Sequence, residues 1–119
     1  MVSMTLTIDK LITKWKHILG LKDFHIGWGW YRINPNNYAE TNDDQRHKIA
    51  FIRINRNKAT KRNIEDTIIH ELTHVLLGPF LHIISERGTT KLYDTCHLID
   101  EYCTLRITKA LMKVENRRK

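Results

Sequence analysis

Between Asn63 and Leu77 the chain reads NIEDTIIHELTHVLL, and this stretch constrains the fold more than any other. Ile64, Ile68, Ile69, Leu72, Val75 and Leu76 recur at intervals of three and four, which predicts one apolar side of a helix that other elements must cover. Asn63 stands where an N-cap belongs, with Asp66 placed to reach back to it, and Glu65 and Asp66 sit in the first turn, where the helix dipole favours acids. Gly78-Pro79 reads as the stop.

What covers that side is legible upstream. Ile8, Leu11, Ile12, Trp15, Ile18 and Leu19 predict a first amphipathic helix ending at Gly20. Phe24, Ile26, Trp28 and Trp30 alternate with His25, Gly27 and Gly29, the two-residue period of a half-buried strand that ends at Asn34-Pro35-Asn36-Asn37. A weaker strand is expected around Tyr38 to Thr41, with a turn at Asn42-Asp43-Asp44, and a firmer one at Lys48 to Asn55 (KIAFIRIN), paired antiparallel with its neighbour. Beyond the HELTH helix, Phe80 to Leu92 reads as an irregular connection turning at Arg87-Gly88. A third helix then covers Asp94 to Val114, with Leu98, Tyr102, Leu105, Leu111 and Val114 along its buried side. The expected class is α+β: an N-terminal helix, a small antiparallel sheet of about three strands, the HExxH helix and a C-terminal helix, all in one domain over residues 1–119.

With 41% hydrophobic and 28% charged residues, the chain has the composition of a globular protein. Asp9, Lys10, Lys14, Lys16 and His17 interrupt the apolar run near the start, so no signal peptide is read there, and no membrane partner is expected. Cys96 and Cys103 lie seven apart on one helix, about 10 Å in rise, too far for a disulfide. Free thiols suit a cytoplasmic location. The net charge of +7 concentrates in Arg53 to Arg62 (RINRNKATKR) and in Asn116 to Lys119, but it is otherwise spread, and nucleic-acid binding is not the favoured reading.

The chemistry sits on the helix already described. His70 and His74 are one turn apart, so both imidazoles leave the same face and can meet one ion. Glu71, about 100° round from His70, falls beside such an ion rather than on it, where a carboxylate can take a proton from water. Thr67, His70, Glu71 and His74 form a polar stripe bordering the apolar side, as the floor of a cleft requires. A catalytic zinc needs a third protein ligand. Leu77 and Phe80 occupy the positions where a metzincin has its glycine and third histidine, which excludes that class. The remaining candidates are His82, Asp94, His97, Asp100 and Glu101. Glu101 is preferred because it shares the expected buried stripe of the third helix, where coordination to a cation would offset the cost of a buried charge. His97, one turn earlier, is its rival, and Asp100 points to another side. Trp28, Trp30, Tyr93, Tyr102 and the two cysteines are read as packing residues.

With His70, Glu71, His74 and then Glu101 on a second helix, the chain resembles the zincin metallopeptidases of gluzincin type. More narrowly, it looks like the small metallopeptidases of bacteriophages and prophages. IAFIRIN, IEDTIIHELTHVLLGPF and IDEYCTLRITKAL carry the likeness over about the C-terminal two thirds. The resemblance implies a zinc-dependent peptidase acting on a polypeptide substrate, with His70, His74 and Glu101 as Zn2+ ligands and Glu71 as general base. It also implies an edge strand, Lys48 to Asn55, that pairs with extended substrate. Leu105 stands where such helices often carry a supporting acid, so that support must come from Asp100 or Asp94. SprT-like proteases, which act near DNA, also share HExxH and a basic surface, but their third ligand is histidine.

Overall fold

The computed structural model describes residues 3–87 and 90–118, with side chains in those ranges except at 80–87, 90, 92, 93 and 118. Three helices and three strands follow in the order α1 (Met4–Ile18), β1 (His25–Tyr31), β2 (Ala39–Asp44), β3 (Ile49–Asn55), α2 (Ile64–Arg87) and α3 (Thr90–Arg118). The class is α+β, as expected. Helix α1 is delimited by local chemistry at both ends. The Ser3 side chain accepts from the Leu6 N–H, and at the other end Gly20, at φ +75°, lets the Gly20 and Leu21 N–H groups return to the His17 and Lys16 carbonyls.

The sheet is mixed rather than antiparallel throughout. Its order is β1-β3-β2, with β1 parallel and β2 antiparallel to β3. The chain lays down the two outer strands first and inserts β3 between them. Burial explains the order: Ala50, Ile52 and Ile54 are the core residues of the sheet, so their strand takes the place with ladders on both sides, while the polar AETNDD takes an edge. Strand β3 is therefore central, and the edge along the cleft is β2, not Lys48 to Asn55. Strand β2 also runs through Asn42-Asp43-Asp44, and the turn falls at residues 45–48, held by Asp44, whose carboxylate accepts from the His47 N–H at 3.1 Å.

Helix α2 begins one step earlier in its capping than the sequence suggests. The Thr60 hydroxyl accepts from the Asn63 N–H at 3.3 Å and the Asn63 side chain accepts from the Thr60 N–H at 2.9 Å, so the reciprocal box is Thr60-Asn63 and not Asn63-Asp66. Ile64, Ile68, Ile69, Leu72 and Val75 are buried against α1 and the sheet, whereas Leu76 is exposed.

Gly78-Pro79 does not stop α2, which continues to Arg87, and α3 starts at Thr90, so residues 80–87 and 90–92 are helical rather than irregular; Gly88 of the expected turn lies outside the described residues. Proline at 79 has no N–H for the carbonyl of Val75, which would leave that acceptor orphaned. The Gln45 side chain supplies the donor, Nε2 to Val75 O at 3.0 Å. Glycine at 78 makes room for it, since a methyl group there would collide with the Gln45 amide.

Helix α3 packs Leu111 against the core, as expected, but turns the rest of the expected side to solvent. Leu98 is 71% exposed and Tyr102 57%, with Leu105 and Val114 also exposed, while Cys96, Asp100, Thr104, Thr108 and Glu115 are buried. Short side chains let α3 lie close to α2, and the Thr108 hydroxyl donates to the Thr104 carbonyl at 2.7 Å. Lys14 of α1 joins the three helices by bonding Glu65 of α2 at 3.3 Å and Glu115 of α3 at 2.5 Å. Both cysteines are free. Among the described residues no helix is long and apolar enough to cross a membrane.

Gln45→Ala is expected to cost about 1–3 kcal/mol by leaving the buried Val75 carbonyl unsatisfied. In a Pro79→Ala background, where residue 79 regains its N–H, the same replacement should cost much less. Urea denaturation of the four proteins in a double-mutant cycle checks this, and equal costs in the two backgrounds contradict it.

Candidate metal centre

The geometry of the site follows from how α2 and α3 face each other. His70 and His74 leave α2 with their Nε2 atoms 3.2 Å apart. From α3, Glu101 brings Oε1 to 3.0 Å from His74 Nε2 and Oε2 to 3.9 Å from His70 Nε2. His70, His74 and Glu101 form a group whose potential ligand atoms all lie within 4.8 Å of one another. A tetrahedral zinc with bonds of about 2.0–2.2 Å spaces its ligand atoms about 3.3–3.5 Å apart. The 3.2 Å between the two imidazoles and the 3.0 Å from His74 to Glu101 fall just short of that spacing, while the 3.9 Å to His70 is made by the other oxygen of Glu101.

Protonation chemistry points the same way. His74 Nδ1 lies 2.9 Å from Asp100 Oδ2, and Asp100 is only 3% exposed. Donation from Nδ1 to this buried carboxylate leaves a lone pair on His74 Nε2, and that nitrogen faces a carboxylate oxygen of Glu101 that also bears only lone pairs. A contact of 3.0 Å between these atoms is satisfied by a proton on Nε2 or by a cation held between them. A divalent cation fits the donor set of two imidazoles and a carboxylate. Of Asp100 and Asp94, it is Asp100 that meets a histidine of the pair, with the Thr104 hydroxyl 3.5 Å from its other oxygen.

Glu101 reaches this place by a different route from the one expected. It is half-exposed at the cleft, not turned into the core, and the buried acid beside it is its neighbour Asp100. One residue of offset turns Glu101 about 100° away from that buried side and toward the two histidines. His97 lines the same cleft without joining the cluster, and Asp94 is exposed outside it. The side chains of His82 and Tyr93 lie outside the described residues. Tyr102 does not line the cleft; the Arg106 guanidinium sits 4.8 Å from its ring centre.

Beside the cluster, Glu71 is 6% exposed, and the Thr41 hydroxyl donates to its Oε1 at 2.6 Å. Burial pushes the Glu71 carboxyl above its ordinary value of 4.5, against the Thr41 hydrogen bond and the two imidazoles, which pull it down; Glu101 adds to the rise. Thr41 escaped the sequence reading because nothing local in AETNDD marks it; its role depends on β2 lying along α2. The cleft measures about 660 Å³ and is walled by β2 on one side and by α2 and α3 on the other.

Comparison of the chain with protein families, with curated proteins and with solved structures finds no match.

Because its pKa is raised in the fold, Glu71 favours folding below the unfolded value of 4.5, and that contribution is lost as pH rises through the higher folded value. Glu71→Gln keeps the Thr41 bond and removes the buried charge. The metal-free variant should melt above metal-free wild type at pH 7 by about 2 °C or more, the response of a small domain to about half a kcal/mol. Thermal melts between pH 4 and 8 should show the gap closing toward the acid end. A constant gap, or a variant less stable at pH 7, contradicts the assignment.

Proposed function

We propose that the chain is a zinc-dependent metallopeptidase of gluzincin type that hydrolyses peptide bonds in polypeptide substrates. The observation that carries this reading is the meeting of His70, His74 and Glu101 beside a buried glutamate on the floor of a cleft. His70, His74 and Glu101 would hold the ion. When bound, zinc polarises a carbonyl and lowers the pKa of water toward about 7. Glu71, with Oε1 held by Thr41, has Oε2 left to take a proton from water and pass it to the leaving nitrogen. Asp100 keeps the His74 ring oriented throughout. Edge strand β2, which carries Thr41, offers its backbone to an extended substrate.

Glu101 rather than His97 beside the imidazoles supports the gluzincin-type reading over the SprT-like one. A phage or prophage origin rests on the resemblance alone, and a cytoplasmic location on the two free thiols. The rival reading, a nucleic-acid-associated protein with a structural zinc, draws on the net charge of +7. Several cations of its basic segment are engaged, however: Arg53 pairs with Glu40 at 3.3 Å, Arg56 lies 5.9 Å from the Trp30 ring and Lys58 4.8 Å from the Tyr38 ring.

Zinc-loaded wild type should cleave an unstructured protein such as denatured casein. Glu71→Gln should retain stoichiometric zinc and lose about 10²–10⁴-fold in rate. Cleavage by the variant at the wild-type rate overturns the role of Glu71.

A further inference from the structure

The chain is basic, with 20 Lys and Arg against 13 Asp and Glu, yet among the described residues its cleft is lined by six acids and by no Lys or Arg. Four of the six have roles or partners already described: Glu71 with Thr41, Glu101 with the imidazoles, Asp100 with His74, and Glu40 with Arg53. Asp43 and Asp66 remain. Asp43 meets only the neutral amide of Gln45, and Asp66 has no hydrogen bond or ion pair among the described residues. Both are exposed to solvent at the cleft.

Their positions relative to the metal cluster are regular. Asp66 lies one turn before His70 on the stripe that carries His70 and His74. Asp43 lies over Gly78, where a methyl group would come within 2.7 Å of its Oδ2. From residue 66 to residue 78 the helix rises about 18 Å, so each carboxylate stands about 9 Å along the axis from the midpoint between the two histidines. An extended chain covers that distance in two to three residues at about 3.4 Å each. Strand β2 runs alongside in the same sense as α2, with Thr41 at Glu71 and Asp43 at Gly78.

We propose that Asp66 and Asp43 are specificity-determining residues that select polypeptides carrying Lys or Arg two to three residues to either side of the bond held at the metal cluster. This rests on the peptidase reading above. Bound zinc would balance the carboxylates of Glu71 and Glu101, the Glu40-Arg53 pair is neutral and Asp100 is buried behind His74, so Asp43 and Asp66 are the solvent-facing carboxylates without a cationic partner among the described residues that give the mouth of the cleft its negative sign. A concave site concentrates that field, and cationic side chains are drawn into it while acidic ones are repelled.

Fluorescence anisotropy on the zinc-loaded full chain tests this with three labelled peptides of one length: one with Lys at both flanking positions, its Nε-acetylated twin and a Glu version. At low salt the Lys peptide should bind about tenfold more tightly than the acetylated one, and the Glu peptide more weakly than either, with the preference shrinking in salt. Asp43→Asn and Asp66→Asn should each remove part of the preference, and the double variant all of it, at unchanged melting temperature. No preference among the peptides, including no detectable binding of any, overturns the proposal, as does a preference that survives in the double variant. Cleavage measured in parallel separates the two claims. Wild type cleaving no faster than Glu71→Gln removes the peptidase reading and leaves the binding preference standing on its own; Glu71-dependent cleavage that ignores peptide charge keeps the peptidase reading and removes this one.

Discussion

The contact between His74 Nδ1 and Asp100 Oδ2, 2.9 Å across the seam of α2 and α3, organises the site. Asp100 is buried, and a buried carboxylate requires a partner. Meeting His74 fixes how α3 is rotated against α2. With that rotation set, Glu101 turns to the cleft and stands beside both imidazoles, while Thr104 and Thr108 face the seam. The same bond decides which His74 nitrogen carries the proton and so leaves Nε2 able to bind a cation. One buried pair thereby couples helix packing to the chemistry of the site.

Much of this arrangement costs stability in the absence of a ligand. Glu71 is an acid held in burial, and His74 Nε2 and a Glu101 oxygen stand 3.0 Å apart, a contact that a proton or a cation has to bridge. A cation that binds the folded state alone would offset these costs by mass action. Thr41 has a part in the same balance: its hydroxyl donates to the buried Glu71, tying edge strand β2 to the floor of the cleft.

What the sequence disclosed was whatever depends on periodicity within a segment. The apolar stripe of α2, the alternation of β1, the N-terminal helix with its glycine stop and the one-turn spacing of His70 and His74 are local properties, and the structure follows them. Misread features depend on residues far apart in sequence. Pro79 ends a helix unless another donor reaches the orphaned carbonyl, and that donor, Gln45, lies 30 residues from Val75. Strand order turns on which strand is most apolar once all three are compared, not on succession. Apolar residues usually point inward, which predicts a buried face at Leu98, Tyr102 and Leu105; the seam with α2 instead takes small and polar side chains. Burial of its charge is the reason the sequence offers for Glu101, yet it reaches the cluster half-exposed, through its one-residue offset from the buried Asp100.

The central claim is that two imidazoles from α2 and one carboxylate from α3 grip a single divalent cation and leave a coordination position open. Crystals of the zinc-loaded protein, with anomalous diffraction recorded on both sides of the zinc absorption edge, test it directly. The account predicts one anomalous peak about 2.0–2.2 Å from His70 Nε2, His74 Nε2 and a Glu101 oxygen, with no fourth protein atom at that distance. No peak at these residues, or an ion closed off by a fourth side chain such as His97, would contradict it.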